Sequence, residues 1–266
     1  MTTTYQLTKR LSTEPQAARL RFVFVSDLHN VSIGNKNQEL IRAIELQNPD
    51  AVLIGGDTLV GKPGYPMDVA IDFIKNVAGR YPVYYANGNH EYRLRIYPDI
   101  YGDMYERFSE AIKEAGVYYL INQTARINVR GIPVAIHGFE ADKKYYQRYS
   151  KADMPVFELN QIFGQPDPND YHILLAHNPE YRETYLNWGA DLALSGHCHG
   201  GVIRFGEHYG LISPNFNLIY KYCHGRFDDA YGRTMIVSAG LGEHTIPLRF
   251  FNPRELVTLE IQFIGK

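Results

Sequence analysis

One construction recurs along this chain. "VFVSDLH" (23–29), "VLIGGD" (52–57), "VYYANGNHE" (83–91), "ILLAH" (173–177) and "LALSGHCH" (192–199) are short apolar runs, each delivering Asp, Asn or His just past its C-terminal end. A run with no polar alternation reads as a strand covered on both faces, as in parallel sheets. The connecting stretches differ in period. "NQELIRAIELQNPD" (37–50) sets Leu40, Ile41, Ile44 and Glu45 at helical spacing before Pro49, and "MDVAIDFIKNVA" (67–78) reads as a second helix. This β-α-β-α-β rhythm predicts a largely parallel sheet covered by helices. In such sheets the loops at the C-terminal strand ends converge on one crevice, where ligands bind. The polar residues of the five runs all fall at that edge.

The second half is richer in strands. "RINV" (126–129), "IPVAIHG" (132–138), "GVIRF" (201–205), "TMIVSAG" (234–240) and "ELVTLEIQF" (255–263) add to the two late runs. The expectation is an α/β fold with two sheets packed as a sandwich and helices outside, rather than a simple doubly wound sheet. No repeat, low-complexity tract or linker interrupts the chain. It reads as a single domain over residues 1–266, with 1–19 as an N-terminal extension.

Composition narrows the function. The 27 basic and 29 acidic residues nearly cancel, so nucleic acid is not an expected partner. Cys198 and Cys223 are too few for a disulfide framework and fit no CxxC motif, so they read as reduced thiols. "MTTTYQLTKRLSTEPQAARL" carries Lys9 and Arg10 but no apolar run of signal-peptide length. No stretch approaches the roughly 18 apolar residues of a membrane span. The expected location is cytoplasmic, and the sequence lends no support to membrane association.

The polar residues at the strand ends name a chemistry. Asp27, His29, Asp57, Asn89, His177, His197 and His199 offer carboxylate, imidazole and amide oxygen, a set suited to Mn, Fe, Zn and related divalent ions. Each has an ordinary structural reading as a cap or turn residue. Five strand ends all supplying such groups favour a metal site. Seven ligands exceed one tetrahedral ion and suit two cations about 3.5–4 Å apart that share a carboxylate.

"SDLH", "GGD", "GNHE", "LLAH" and "SGHCHGG" together resemble, in order, the five-motif signature of the calcineurin-like metallophosphoesterases. The resemblance runs from about Arg21 to the C-terminus, and the tail "VSAGLGEHTIPLRFFNPRELVTLEI" is similar to a YkuE/YaeI-like bacterial branch. It implies a four-layer α-β-β-α sandwich and two divalent cations, Mn first, with Fe, Zn, Ni or Co as alternatives. One cation would be held by Asp27, His29, Asp57 and His199. The other would be held by Asp57, Asn89, His177 and His197, with Asp57 bridging. His90 would act as the catalytic residue, stabilising or protonating the leaving oxygen. The implied reaction is hydrolysis of a phosphodiester or pyrophosphate by a water activated between the metals, on a small substrate such as a nucleotide or nucleotide-sugar. A phosphomonoesterase of the same fold, or a metal-free scaffold, are the alternatives.

The chain departs from the family pattern at two places. Cys198 stands where many relatives carry Thr, and Val202 where this branch often has Gln. In extended backbone Cys198 would point away from the metals that His197 and His199 face. Of the other histidines, His137 and His172 read as satisfied strand residues. His208 and His224 carry no assignment, and His244 lies in a Gly-rich loop able to approach the site. A His-x-His also opens amidohydrolase barrels and cupin sites. The first places it on an early strand and the second needs an all-β chain, so neither fits. "EYRLRIYPDIYGDMYERF" (91–108) and "FEADKKYYQRYSKADMPVF" (139–157) read as amphipathic helix and solvated loop, or as a Tyr- and Arg-rich rim that holds the substrate's organic part.

Overall fold

The computed structural model describes residues 2–10, 18–147, 152–206, 208–211, 219–243 and 248–265. Its strands are β1 (Thr2–Arg10), β2 (Ala18–Val25), β3 (Ala51–Ile54), β4 (Val83–Tyr85), β5 (Tyr118–Tyr119), β6 (Gln123–Val129), β7 (Ile132–Phe139) and β8 (Tyr171–Ala176). They continue as β9 (Leu192–Ser195), β10 (Ile203–Phe205), β11 (Tyr209–Leu211), β12 (Ile219–Tyr220), β13 (Gly225–Asp228), β14 (Thr234–Val237) and β15 (Leu256–Ile264). The helices are α1 (Gln38–Gln47), α2 (Asp68–Ala78), α3 (Asn89–Ile96), α4 (Pro98–Tyr101), α5 (Met104–Glu114), α6 (Val156–Phe163) and α7 (Arg182–Trp188).

The strands form two six-stranded mixed sheets and a small third one. The first has the order β1-β15-β2-β3-β4-β5, the second β13-β14-β9-β8-β7-β6, and β10-β11-β12 make the third. Side chains alternate across each strand, and the core follows that period. Phe22 and Phe24 of β2 and Leu53 of β3 join Ile136, Ile173, Leu175 and Leu194 of the second sheet in one cluster. Their neighbours Val23, Val25 and Ile54 turn the other way, against Leu40 and Ile44 of α1, Phe73 of α2 and Phe108 of α5. On the second sheet Leu174 and Ala176 pack with Leu159 of α6 and Tyr185 of α7. This explains why the central runs are apolar throughout. Both faces are buried, and each large side chain contributes about 1.5–3 kcal/mol. The expected α/β class is borne out.

Register aligns the strand ends. Val25 pairs with Ile54, and Ile54 with Tyr85, in parallel ladders of the first sheet. Leu175 pairs with Leu194 in the second. The polar residues that follow therefore emerge side by side.

Some elements differ from expectation. α1 stops at Gln47, where Asn48 takes a left-handed φ of 45° and donates its N–H to Glu45 O, two residues before the expected stop at Pro49. Residues 2–10 carry no long apolar run, yet they form an edge strand parallel to β15. Segment 91–108 divides among three helices, because Pro98 starts a new turn and Gly102 ends it. Among the described residues no helix is long and apolar enough to cross a membrane.

Candidate metal centre

Five of the seven predicted ligands adopt positive φ: Asp27 (54°), His29 (48°), Asp57 (52°), His197 (68°) and His199 (49°). Such backbone is costly for residues with a Cβ and persists where surrounding contacts impose it. Here hydrogen bonds between strand-end loops do so. Asp27 N–H donates to Gly56 O at 3.0 Å and His29 N–H to Asp57 O at 3.1 Å. The loops approach closely enough to require glycine. A Cβ on Gly56, itself at φ 88°, would lie 2.0 Å from Gly88 N, and one on Gly196 would lie 1.9 Å from Ser26 Oγ.

Backbone donors then aim the carboxylates. His90 N–H donates to Asp57 Oδ1 at 2.7 Å, leaving Oδ2 to face His177 Nε2 at 3.1 Å, His29 Nε2 at 3.8 Å and His90 Nε2 at 3.9 Å. His197 N–H donates to Asp27 Oδ1 at 3.0 Å, and that oxygen lies 3.5 Å from His199 Nε2, 3.7 Å from His177 Nε2 and 3.9 Å from His29 Nε2. Three overlapping groups result: Asp27, His29 and His199; His29, Asp57 and His90; and Asp57, His177 and His197. Within each group one ligand atom per residue lies within 4.8 Å of the others, and His29 and Asp57 each belong to two groups.

This donor set fits divalent cations. Gly55 O can only accept, so His177 Nδ1, 2.7 Å away, carries a proton, and Nε2 is the nitrogen that faces the carboxylates. Asn89 Oδ1 is a buried acceptor that receives no hydrogen bond from the described residues. Asn89 opens α3 directly before His90, so one turn carries both.

The electrostatics of the cluster are tightly coupled. Burial opposes the charge on Asp57, but His177 and then His90 outweigh it and hold the carboxyl well below its usual range. Burial likewise opposes protonation of His177, and Asp57 outweighs it, raising the imidazole to about 10. Asp27 is pushed up to about 6, chiefly by burial. Burial drives His90 down to about 3. Its Nδ1 accepts the Gly61 N–H at 2.7 Å, so the neutral ring carries its proton on Nε2, toward Asp57.

The seven expected ligands and His90 thus lie at one edge of the two sheets. His90, which the resemblance sets apart from the ligands, falls within one of the three groups. His137 and His172 are buried and hydrogen-bonded to each other at 3.0 Å. His224 Nε2 lies 3.0 Å from Glu255 Oε1. His244 lies outside the described residues. Cys198 belongs to none of the three groups, but not because of strand alternation. Left-handed turns at His197 and His199 direct both rings, while the buried Cys198 thiol meets that of Cys223.

Sequence reasoning left Glu91 without a role, although it ends the "GNHE" motif. Its buried carboxylate accepts the N–H groups of Asp57 at 2.8 Å, Thr58 at 2.9 Å and Gly88 at 3.0 Å, and the Tyr85 hydroxyl at 2.8 Å. An acid at the third position of a helix is a capping-box signal, which marks the Gly88 contact but not the others.

Comparison with known proteins agrees with this geometry. Residues 20–201 match the family described as Calcineurin-like phosphoesterase. The uncharacterized protein YpbG of Bacillus subtilis strain 168 is 30% identical over 93% of this chain and 82% of its own length. Phosphodiesterase YaeI of Escherichia coli strain K12 is 26% identical over 71% of this chain and 63% of its own. The chain belongs to the calcineurin-like phosphoesterase family, which implies divalent metals and phosphoric ester hydrolysis. A solved 5'-nucleotidase precursor from Thermus thermophilus shares the fold at TM-score 0.50 and 17% identity, over 84% of this chain. This chain spans about half of that protein, 49% of its length.

Proposed function

We propose that the chain is a dinuclear metal-dependent phosphoesterase that favours phosphodiester or pyrophosphate bonds. The observation that carries this reading is Asp57, whose carboxylate is grouped with His29 on one side and with His177 and His197 on the other. In this reading Asp27, His29, Asp57 and His199 hold one cation. Asp57, Asn89, His177 and His197 hold the other, with manganese the first choice for oxygen and nitrogen donors. Two such cations supply Lewis acidity, offsetting phosphoryl charge and lowering the pKa of a nucleophilic water.

The chain's own residues do the rest. The Gly55 carbonyl keeps a proton on His177 Nδ1, and Glu91 holds the Asp57 backbone in place. His90, fixed through Nδ1 by Gly61, presents Nε2–H to the leaving oxygen. A small phosphoester is the expected substrate, and the name of the relative YaeI favours a diester. Elemental analysis tests the reading. Protein exchanged into manganese should retain close to two ions per chain, and Asp57→Asn should lose both. Full retention by Asp57→Asn would sink the assignment.

A further inference from the structure

The rings at the site form two short stacks. His90 stands edge-on to His29 with centroids 4.7 Å apart, and His29 lies against His199 at 4.8 Å. On the other flank His177 stands edge-on to His197 at 5.3 Å, and Tyr146 stands edge-on to the same His197 at 5.3 Å. Tyr146 therefore closes one flank of the cluster as His90 closes the other.

Tyr146 is held there by the chain around it. It ends a short 3-10 turn, Lys143–Tyr146, whose cap Asp142 accepts the Lys144 N–H at 2.9 Å. Asn178 Nδ2 donates to Tyr145 O at 2.7 Å, and the Tyr145 ring packs edge-on against Tyr181 at 5.0 Å. Asn178 directly follows His177, so this anchor ties the turn to the strand end that carries a candidate ligand. The Tyr146 side chain is a phenol, a donor with no charge of its own. Tyrosines in such positions pair an apolar ring with a polar partner for the hydroxyl. A phosphoryl group held beside His197 is such a partner.

We propose that Tyr146 contacts the substrate, its O–H donating a hydrogen bond to a non-bridging oxygen of the phosphoryl group. The inference rests on the dinuclear phosphoesterase reading and adds to it a specificity residue from segment 139–157. A hydrogen bond to a charged acceptor is among the stronger ones, and its loss corresponds to about tenfold or more in affinity.

The test uses the full chain loaded with manganese, with inorganic phosphate as the probe in titration calorimetry. Tyr146→Phe keeps the ring against His197 and removes only the hydroxyl. It should retain manganese and its thermal midpoint, while its phosphate Kd rises about tenfold or more and kcat/KM on a phosphodiester falls comparably. A Tyr146→Phe protein with wild-type phosphate affinity and kinetics overturns the proposal. Tyr146→Leu removes the ring as well. If it loses manganese while Tyr146→Phe behaves as wild type, the ring only supports His197 and the proposal is again overturned. If the wild-type chain itself neither binds phosphate nor cleaves an ester, the parent reading falls and this one with it. Wild-type phosphate binding beside an unaffected Tyr146→Phe overturns the Tyr146 assignment alone.

Discussion

Glu91 Oε2 accepts the backbone N–H of Asp57 at 2.8 Å, joining the first turn of α3 to the loop after β3 across 34 residues of sequence. Both Glu91 oxygens face donors: Asp57 and Gly88 N–H on one, Thr58 N–H and the Tyr85 hydroxyl on the other. The two carboxylates are thus coupled through the backbone that sets the Asp57 conformation.

Glu91→Gln should therefore cost far more than its small change in shape. Whichever way the amide turns, its NH2 faces at least one backbone N–H, and a buried donor loses its acceptor. The expected loss is about 2 kcal/mol or more of stability, with weakened manganese retention. Urea denaturation and metal analysis read both. A variant as stable and as metal-rich as wild type would show that Glu91 does not hold Asp57.

His90 should be separable from the ligands by its kinetics. His90→Ala should keep its manganese, and its rate loss should depend on the leaving group. The neutral ring would stabilise the departing oxygen by a hydrogen bond from Nε2–H, which matters most for a basic alkoxide. A p-nitrophenyl diester should suffer less than an alkyl diester. His199→Ala should instead lose metal and slow every substrate. An equal loss on good and poor leaving groups in metal-replete His90→Ala would exclude a contact of His90 with the leaving oxygen.

Substrate preference has a direct measurement. Manganese-loaded protein should hydrolyse bis-p-nitrophenyl phosphate faster than p-nitrophenyl phosphate. A clear preference for the monoester would refute the diesterase assignment and favour the phosphomonoesterase alternative.

The buried His137–His172 pair predicts acid sensitivity away from the site. Thr124, Phe163 and Trp188 surround His137, and burial, then His172 and Arg126, lower it from 6.5 to about 3. The unfolded chain thus binds a proton at a pH where the folded chain does not. Between pH 6.5 and about 3, stability should fall as pH falls, with a slope of at most about 1.4 kcal/mol per pH unit from this group. His137→Phe should lower stability at neutral pH and flatten that slope. Urea midpoints at several pH values check it, and an unchanged slope would assign the sensitivity elsewhere.

The sequence by itself determined the α/β class, the strands that bring Asp27, Asp57, Asn89, His177 and His197 to one edge, and the existence of the helices within 37–50 and 67–78, though not where the first one stops. These follow from local periodicity and from the rule that parallel strands end together, and both are written in short windows. What only the tertiary structure decided are relations between distant segments. β1 becomes an edge strand because β15, some 250 residues later, offers it a ladder, and nothing in "TTTYQLTKR" names that partner. Gly55 O holds a proton on His177 Nδ1 across 122 residues, and Tyr146 meets His197 on a turn that a hydrogen bond from Asn178 ties to the end of β8. The left-handed backbone at Asp27, Asp57, His197 and His199 likewise has no local signal. It is imposed by loops of two facing sheets pressed together, and their close approach exists only once both sheets have packed.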